Sequence, residues 1–209
     1  MDDDLALLSA WRDGDAAAGN ELFSRHFRSV VRFVTNKLHD RAEVEDIVQR
    51  IFLACVESRD RFEGRSSFRT YLFAVAHNIV VEHFRRRAPA NTVFDSTNTA
   101  VCDVDPSPSM VAAEREEQRL VIAALRQIPL SYQVVLELFF WERLTGSEIA
   151  DALEMPEGTV RFRVRKGKEL LAKKVRQLSL TAAHADLSDG DLEAWAESLR
   201  DAVTAAGRA

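Results

Sequence analysis

Apolar residues recur at helical spacing through most of the chain, interrupted by short polar or proline-bearing breaks. Leu5 to Trp11 predicts a short first helix, Gly14-Asp15 marks a turn, and Asp15 is placed to cap the next element. From Ala16 to Leu38 the stripe is Leu22, Phe23, Phe27, Val30, Val31 and Val34. Asp40-Arg41 interrupts it. Ala42 to Val56 repeats the pattern with Val44, Ile47, Val48, Ile51, Phe52 and Cys55, and Glu43, Glu45, Asp46, Gln49 and Arg50 lie opposite. Such a polar face is, on its own, only a solvated surface. The polar loop Arg59 to Ser67 follows, with Gly64 as its turn residue and Ser66 or Ser67 as the next cap. The helix after it carries Phe68, Tyr71, Leu72, Val75, Ile79 and Phe84, is broken by the polar Asn78, and finishes on Arg85, Arg86 and Arg87.

Residues 88–112 change character, with three prolines, many Ser, Thr and Asn, and no Lys or Arg. This stretch predicts a flexible linker that cannot fold alone and would span on the order of 80 Å fully extended. Periodicity resumes near Glu114 with Leu120, Ile122, Ala123, Leu125 and Ile128, stops at Pro129-Leu130-Ser131, and restarts from Tyr132 to Trp141. Thr145 followed by Glu148 has the spacing of a capping box, so a helix is expected to open at Gly146. Ile149, Ala150 and Leu153 form its apolar face. Met155-Pro156-Glu157-Gly158 breaks it, and a second helix is expected from Thr159. There Val160, Val164, Gly167 and Leu171 form a narrow stripe, while Thr159, Arg161, Phe162, Arg165 and Lys166 face away.

Two short helices joined by a tight turn, the second basic on its outer face, form a helix-turn-helix pattern. A helix fits the major groove, Arg and Lys bond guanine edges, and further cations neutralise phosphates. The alternative is a solvated charged helix on a bundle; the turn and the cap favour DNA. The predicted fold class is all-α: two small helical domains at 1–87 and 113–178, the flexible linker 88–112 between them, and an amphipathic helical extension at 179–209.

Composition supports this reading. Of 209 residues 46% are hydrophobic, and only 8 are Gly and 5 Pro. The net charge of −5 does not advertise nucleic-acid binding, but local patches govern contact, and the chain is acidic at both ends and basic at Arg85 to Arg87 and from Arg161 to Arg176. Arg85 to Arg87 fit either the negative end of a helix dipole or phosphate contacts. Cys55 is expected in the core and Cys102 in the linker, with no zinc or disulfide spacing. The five His are scattered, and His77 and His83 do not share a helical face, so no metal, cofactor or catalytic constellation is expected. No signal segment or membrane span is apparent, which predicts a cytoplasmic, non-enzymatic protein without membrane insertion.

Four segments in order, AEVEDIVQRIFLACVE, RFEGRSSFRTYLFAVAHNIVVEHFRRR, LRQIPLSYQVVLEL and LTGSEIADALEMPEGTVRFRVRKGKELL, give the chain a resemblance to the extracytoplasmic-function (ECF) group of bacterial RNA polymerase sigma factors. The resemblance covers Glu21 to Val175 apart from the linker. It implies core RNA polymerase as partner, through the β′ clamp helices and the β flap, and promoter DNA as duplex and melted strand. It also admits an anti-sigma factor. By the same resemblance Glu43, Asp46, Gln49 and Arg50 dock on polymerase. Phe62, Ser67, Phe68, Tyr71, Asn78, Arg85, Arg86 and Arg87 serve the minus-ten strand, and Thr159, Arg161, Phe162, Arg165 and Lys166 the minus-thirty-five duplex. Arg50 stands where the family usually has Glu, Tyr71 where it has Trp, Glu154 at a turn position often held by Gly, and Phe162 where a small polar residue is usual. A stand-alone helix-turn-helix regulator is the competing reading, against which the aromatic-arginine segment 62–87 speaks. In the tail, Leu192, Trp195, Leu199 and Val203 form an apolar stripe that suits either a stability cap or a regulatory cover.

Overall fold

The computed structural model describes residues 3–38, 40–87, 116–178 and 190, and every regular element among them is a helix. The chain divides into two compact units: Met1–Phe94 with Ser147–Met155, and Asp95–Gly146 with Pro156–Ala209. The stretch 113–178, which the sequence pattern treats as one domain, is thus shared between them.

The first unit is built from α1 (Asp3–Arg12), α2 (Ala16–Thr35), α3 (Arg41–Ser58) and α4 (Phe68–Arg87). Each start has a chemical cause. The Asp15 carboxylate accepts from the amides of Ala17 and Ala18 at 2.9 and 3.2 Å. Asp40 does the same for Ala42 and Glu43 at 2.7 and 3.2 Å. At α4 the cap is Ser67, whose Oγ accepts from the Thr70 amide at 3.1 Å. Each such cap contributes about 1 kcal/mol by satisfying amides that have no partner within the helix. α1 packs along α2, and α3 lies against both α2 and α4. Leu22, Val30, Ile47, Ile51, Leu72, Phe73 and Val80 are fully buried between them. Cys55 is in this core as expected, and burial pushes its thiol up to about 12. Phe27, placed by its spacing in the α2 stripe, is instead half exposed and stacks on Phe52 at 5.8 Å.

The contact that seats α1 is close. The Trp11 ring lies on the backbone of α2 at Gly19, where an added Cβ would come within 2.6 Å of two ring atoms. Phe23 meets the same ring edge-on at 5.1 Å. The N-terminal carboxylates then tie α1 to α2: Asp3 to Arg25 at 2.5 Å and Asp4 to His26 at 2.6 Å.

In the second unit α5 (Glu116–Arg126) is followed by α6 (Leu130–Leu136). α6 opens before the expected Tyr132 because the Pro129 carbonyl accepts from the amides of Tyr132 and Gln133 at 3.0 and 3.1 Å. It runs into a π turn at Glu137–Trp141, closed by the Glu142 amide on the Glu137 carbonyl at 3.1 Å. A helical segment of this kind is a local widening that sequence periodicity does not encode. α7 (Gly146–Ala152), which from Ser147 on belongs to the first unit, starts where the capping box places it, and α8 (Glu157–Leu178) begins ahead of the expected Thr159. α8 packs on α5 and α6 through Gly167, Leu171 and Val175, with Val121, Leu125, Leu136 and Trp141 in the same core. Gly167 lets α8 approach closely, since a Cβ there would lie 3.1 Å from the Leu136 side chain. Cys102 and the tail stripe of Leu192, Trp195, Leu199 and Val203 lie outside the described residues.

The Trp11–Gly19 contact yields a test. Although alanine favours helix over glycine by about 1 kcal/mol, Gly19→Ala is expected to lower stability by about 1–3 kcal/mol through overpacking. Gly158→Ala, whose Cβ would meet nothing within 4 Å, should leave stability unchanged or raise it. Denaturant unfolding of both variants measures the difference.

Candidate nucleic-acid interface

The loop from Arg59 to Ser67 leaves α3 through a short 3-10 turn, Arg59–Arg61, and reaches α4 without further regular structure. Its carbonyls are held from outside the segment. Arg12, the last residue of α1, donates through Nε at 2.9 Å to the Arg59 carbonyl and through a terminal nitrogen to the carbonyls of Arg59 and Phe62. The Arg59 guanidinium in turn lies 5.2 Å over the Trp11 ring. A planar guanidinium bridging two carbonyls fixes both loop position and loop shape, which a lysine ammonium would do less well. Arg12 was not apparent from the sequence, because its partners lie 47 and 50 residues away and no local pattern marks them.

Inside the loop Phe62 is buried against Tyr71, ring centroids 4.8 Å apart, and Phe68 is buried beside Tyr71 at 6.2 Å. The Tyr71 hydroxyl bonds Ser58 Oγ, and burial raises its pKa. Among the residues assigned to the minus-ten strand, Phe62 and Phe68 are therefore packed into the first unit, Ser67 is engaged as a helix cap, and Tyr71 is half-buried. Asn78, Arg85, Arg86 and Arg87 are exposed. Arg61, Glu63 and Arg65 are exposed on the loop as well, with Arg65 paired to Glu63 at 2.9 Å. Arg86 pairs with Glu82 at 2.5 Å, and Arg87 reaches across to Glu43 on α3.

On α3, Asp46 and Gln49 are exposed, Glu43 is half-buried between Arg87 and His83, and Arg50 bridges Asp46 at 3.9 Å and Glu82 at 3.6 Å. Arg50 is thus balanced within the protein despite reversing the charge expected by resemblance. Leu53 and Val56 extend this face as exposed apolar positions, 56% and 39% accessible. Their signal in the sequence was their place off the Ile47-Val48-Ile51-Cys55 stripe.

At the second candidate surface, just past the end of α7, Glu154 lies in the left-handed region, φ 49°, which is uncommon for a non-glycine residue. The Met155 amide closes this turn on the Ala150 carbonyl at 3.0 Å. Pro156 and α8 follow. With Val160 and Gly167 buried, Arg161, Phe162 and Arg165 are exposed, and Thr159 and Lys166 are half-buried. Arg161 is held by Glu157 at 2.8 Å and Lys166 by Glu169 at 2.9 Å, a bond that lowers the Glu169 pKa. Arg165 lies over the Phe162 ring at 5.8 Å. Such surface ion pairs are worth at most about 1 kcal/mol, so phosphates can displace the carboxylates at little cost.

Among the described residues no group of His, Cys, Asp and Glu is arranged to hold a metal, and no helix is long and apolar enough to cross a membrane.

Two outcomes follow from this geometry. Arg12→Ala should speed amide hydrogen exchange across the loop 59–66 while leaving α2 and α3 protected, whereas exchange unchanged in the loop would deny its bracing. His83 behaves through linkage. Burial lowers its pKa, against the opposing pull of Glu43, with Arg87, Arg50 and Asp46 also facing it. The unfolded imidazole binds its proton near pH 6.5 while the folded one resists, so stability is lost as pH falls through that range. His83→Gln should flatten this component in unfolding curves recorded from about pH 8 to about pH 5.

Comparison with known proteins finds matches to both halves of the chain. The Sigma-70 region 2 family matches residues 22–89, and the Sigma-70, region 4 family matches residues 118–171. The ECF RNA polymerase sigma-E factor of Haemophilus influenzae is 30% identical over 185 residues, covering 84% of this chain and 96% of that protein. The ECF RNA polymerase sigma factor SigX of Bacillus subtilis is 27% identical, covering 75% of this chain and 83% of its own. Among solved structures, the sigma factor RpoE in complex with the anti-sigma factor NepR from Bartonella quintana has the same fold, with TM-score 0.60 at 16% identity over 75% of this chain and 96% of that one. With one relative at this identity over nearly its full length, and the region 2 and region 4 matches in order, the chain belongs to the ECF group of RNA polymerase sigma factors.

Proposed function

We propose that this sigma factor divides promoter recognition between its two matched regions. The α3 face of Asp46, Gln49, Leu53 and Val56 docks on the clamp helices of core polymerase, with Glu43 and Arg50 shaping its charge. The loop after α3 receives the melted minus-ten strand. Phe62, Phe68 and Tyr71 give that loop its floor, Ser67 fixes where α4 starts, and Asn78 with Arg85, Arg86 and Arg87 meets bases and phosphates along α4. The outer face of α8, with Thr159, Arg161, Phe162, Arg165 and Lys166, reads the minus-thirty-five duplex in the major groove. No step in this scheme makes or breaks a bond in the protein. Its role is to select DNA and to hold it open for polymerase.

The observation that carries this reading is the pairing, in one chain, of a braced loop bearing exposed Arg61 and Arg65 with a helix whose outward face is basic. A protein that only reads duplex has no use for the first. The solved neighbour from Bartonella quintana is bound to an anti-sigma factor. For this chain the same class of partner would compete for the α3 face, where exposed Leu53 and Val56 add apolar contact to the charged groups.

Run-off transcription with purified core polymerase on genomic fragments tests the proposal. Discrete transcripts that depend on the chain are expected. Duplex binding without polymerase and no transcripts would favour a stand-alone regulator. Within the sigma reading, Asp46→Lys should weaken core binding about tenfold or more by opposing a basic partner. Lys166→Ala should weaken promoter binding evenly across sequences and reduce the slope of log affinity against log salt by about 1.

A further inference from the structure

The rotation of α8 is fixed from its inner side. Val160, Leu171 and Val175 are buried, and Gly167 sits so close to Leu136 that a Cβ would lie 3.1 Å from that side chain. The helix cannot turn about its axis without losing this approach, so the outward residues are presented in a set orientation. Of the outward cations, Arg161 and Lys166 are neutralised by Glu157 and Glu169. Arg165 instead places its guanidinium over the Phe162 ring at 5.8 Å, and that ring is 49% exposed in the midst of a basic surface.

The two side chains differ in what they recognise. A phenylalanine edge or face packs on the C5-methyl group of thymine, and an arginine fork bonds O6 and N7 of guanine. At positions i and i+3 their Cα atoms are about 4.5 Å apart along the helix axis. Base pairs in duplex DNA are stacked about 3.4 Å apart. The separation lies between one and two base steps, within the reach of two side chains that contact adjacent base pairs. The ring also restrains the guanidinium before DNA arrives, so less side-chain freedom is lost on binding.

We propose that Phe162 and Arg165 form one specificity-determining unit that reads a thymine next to a guanine in the minus-thirty-five duplex. The proposal rests on α8 being the duplex reader. A small polar residue at position 162 would offer the arginine no ring to lie over, so the unit is a property of this chain's own sequence.

The test uses the full chain assembled with core polymerase. Promoters selected from a library randomised across the minus-thirty-five element should be enriched in adjacent thymine and guanine. Replacing that thymine by uracil keeps the base pair and removes only the methyl. It should reduce promoter affinity about 3- to 10-fold for the native protein and leave Phe162→Ala unaffected. Arg165→Ala should lose the guanine preference and also shrink the uracil effect, because the two side chains act together. Circular dichroism confirms that both surface variants remain folded. No uracil effect with the native protein, or an equal effect with Phe162→Ala, overturns the proposal. Arg161→Ala and Lys166→Ala separate the two levels of the argument. If both weaken duplex binding while uracil has no effect, the thymine-guanine unit alone is wrong. If neither weakens it, α8 does not read the duplex, and both readings fall.

Discussion

The contact of Trp11 with the bare backbone of α2 at Gly19 is the constraint on which the first unit depends. An indole can lie this close to a helix only where no Cβ intervenes. That contact places the end of α1, and the end of α1 places Arg12. Arg12 then takes over the carbonyls of Arg59 and Phe62, which loop residues between helices would otherwise have to satisfy with water. Phe62, Tyr71 and Ser58 complete the support from below. A loop proposed to receive a melted DNA strand is in this way shaped before the strand arrives. Ordering a flexible loop on binding would cost conformational entropy, and bracing it in advance avoids that cost.

Charge in this protein is arranged as exchangeable pairs. The chain is acidic in total, yet four of the cations proposed to meet DNA, Arg86, Arg87, Arg161 and Lys166, have carboxylate partners on the same or an adjacent helix. Pairs at i,i+3 and i,i+4 give each helix a small gain and leave the cations at the surface. A phosphate offers the same kind of partner with more charge. Pairing of this kind mutes the free protein as a polycation, and phosphates at the proposed DNA-binding faces would take the place of the carboxylates.

Much of the fold was legible in the sequence because it is set by local chemistry. Asp15 and Ser67 cap the helices they precede, the Thr145–Glu148 spacing places the start of α7, and the Val160-Gly167-Leu171 stripe sets the buried side of α8. Glu154 stands at the turn position often held by Gly and adopts the left-handed conformation that glycine favours. What depends on tertiary geometry was not legible. Arg12 has partners on the far side of the first unit. The aromatic residues of the loop read as a surface for bases, yet Phe62 and Phe68 are buried because the segment folds back onto α3 and α4. Leu53 and Val56 lie off the buried stripe in the sequence pattern, and the packing of Ile51 and Cys55 adds how far they are exposed. The π turn at Glu137–Trp141 has no periodic signature.

A loop proposed to capture the melted strand would depend on α1, whose Arg12 holds its carbonyls. Permanganate reactivity of unpaired thymines, measured on a promoter with core polymerase and either native protein or Arg12→Ala, tests this most directly. Arg12→Ala is expected to bind core polymerase as tightly as the native protein and to give several-fold weaker thymine reactivity, with partial recovery in Arg12→Lys. Equal reactivity of native protein and Arg12→Ala, at equal occupancy of polymerase, would contradict it.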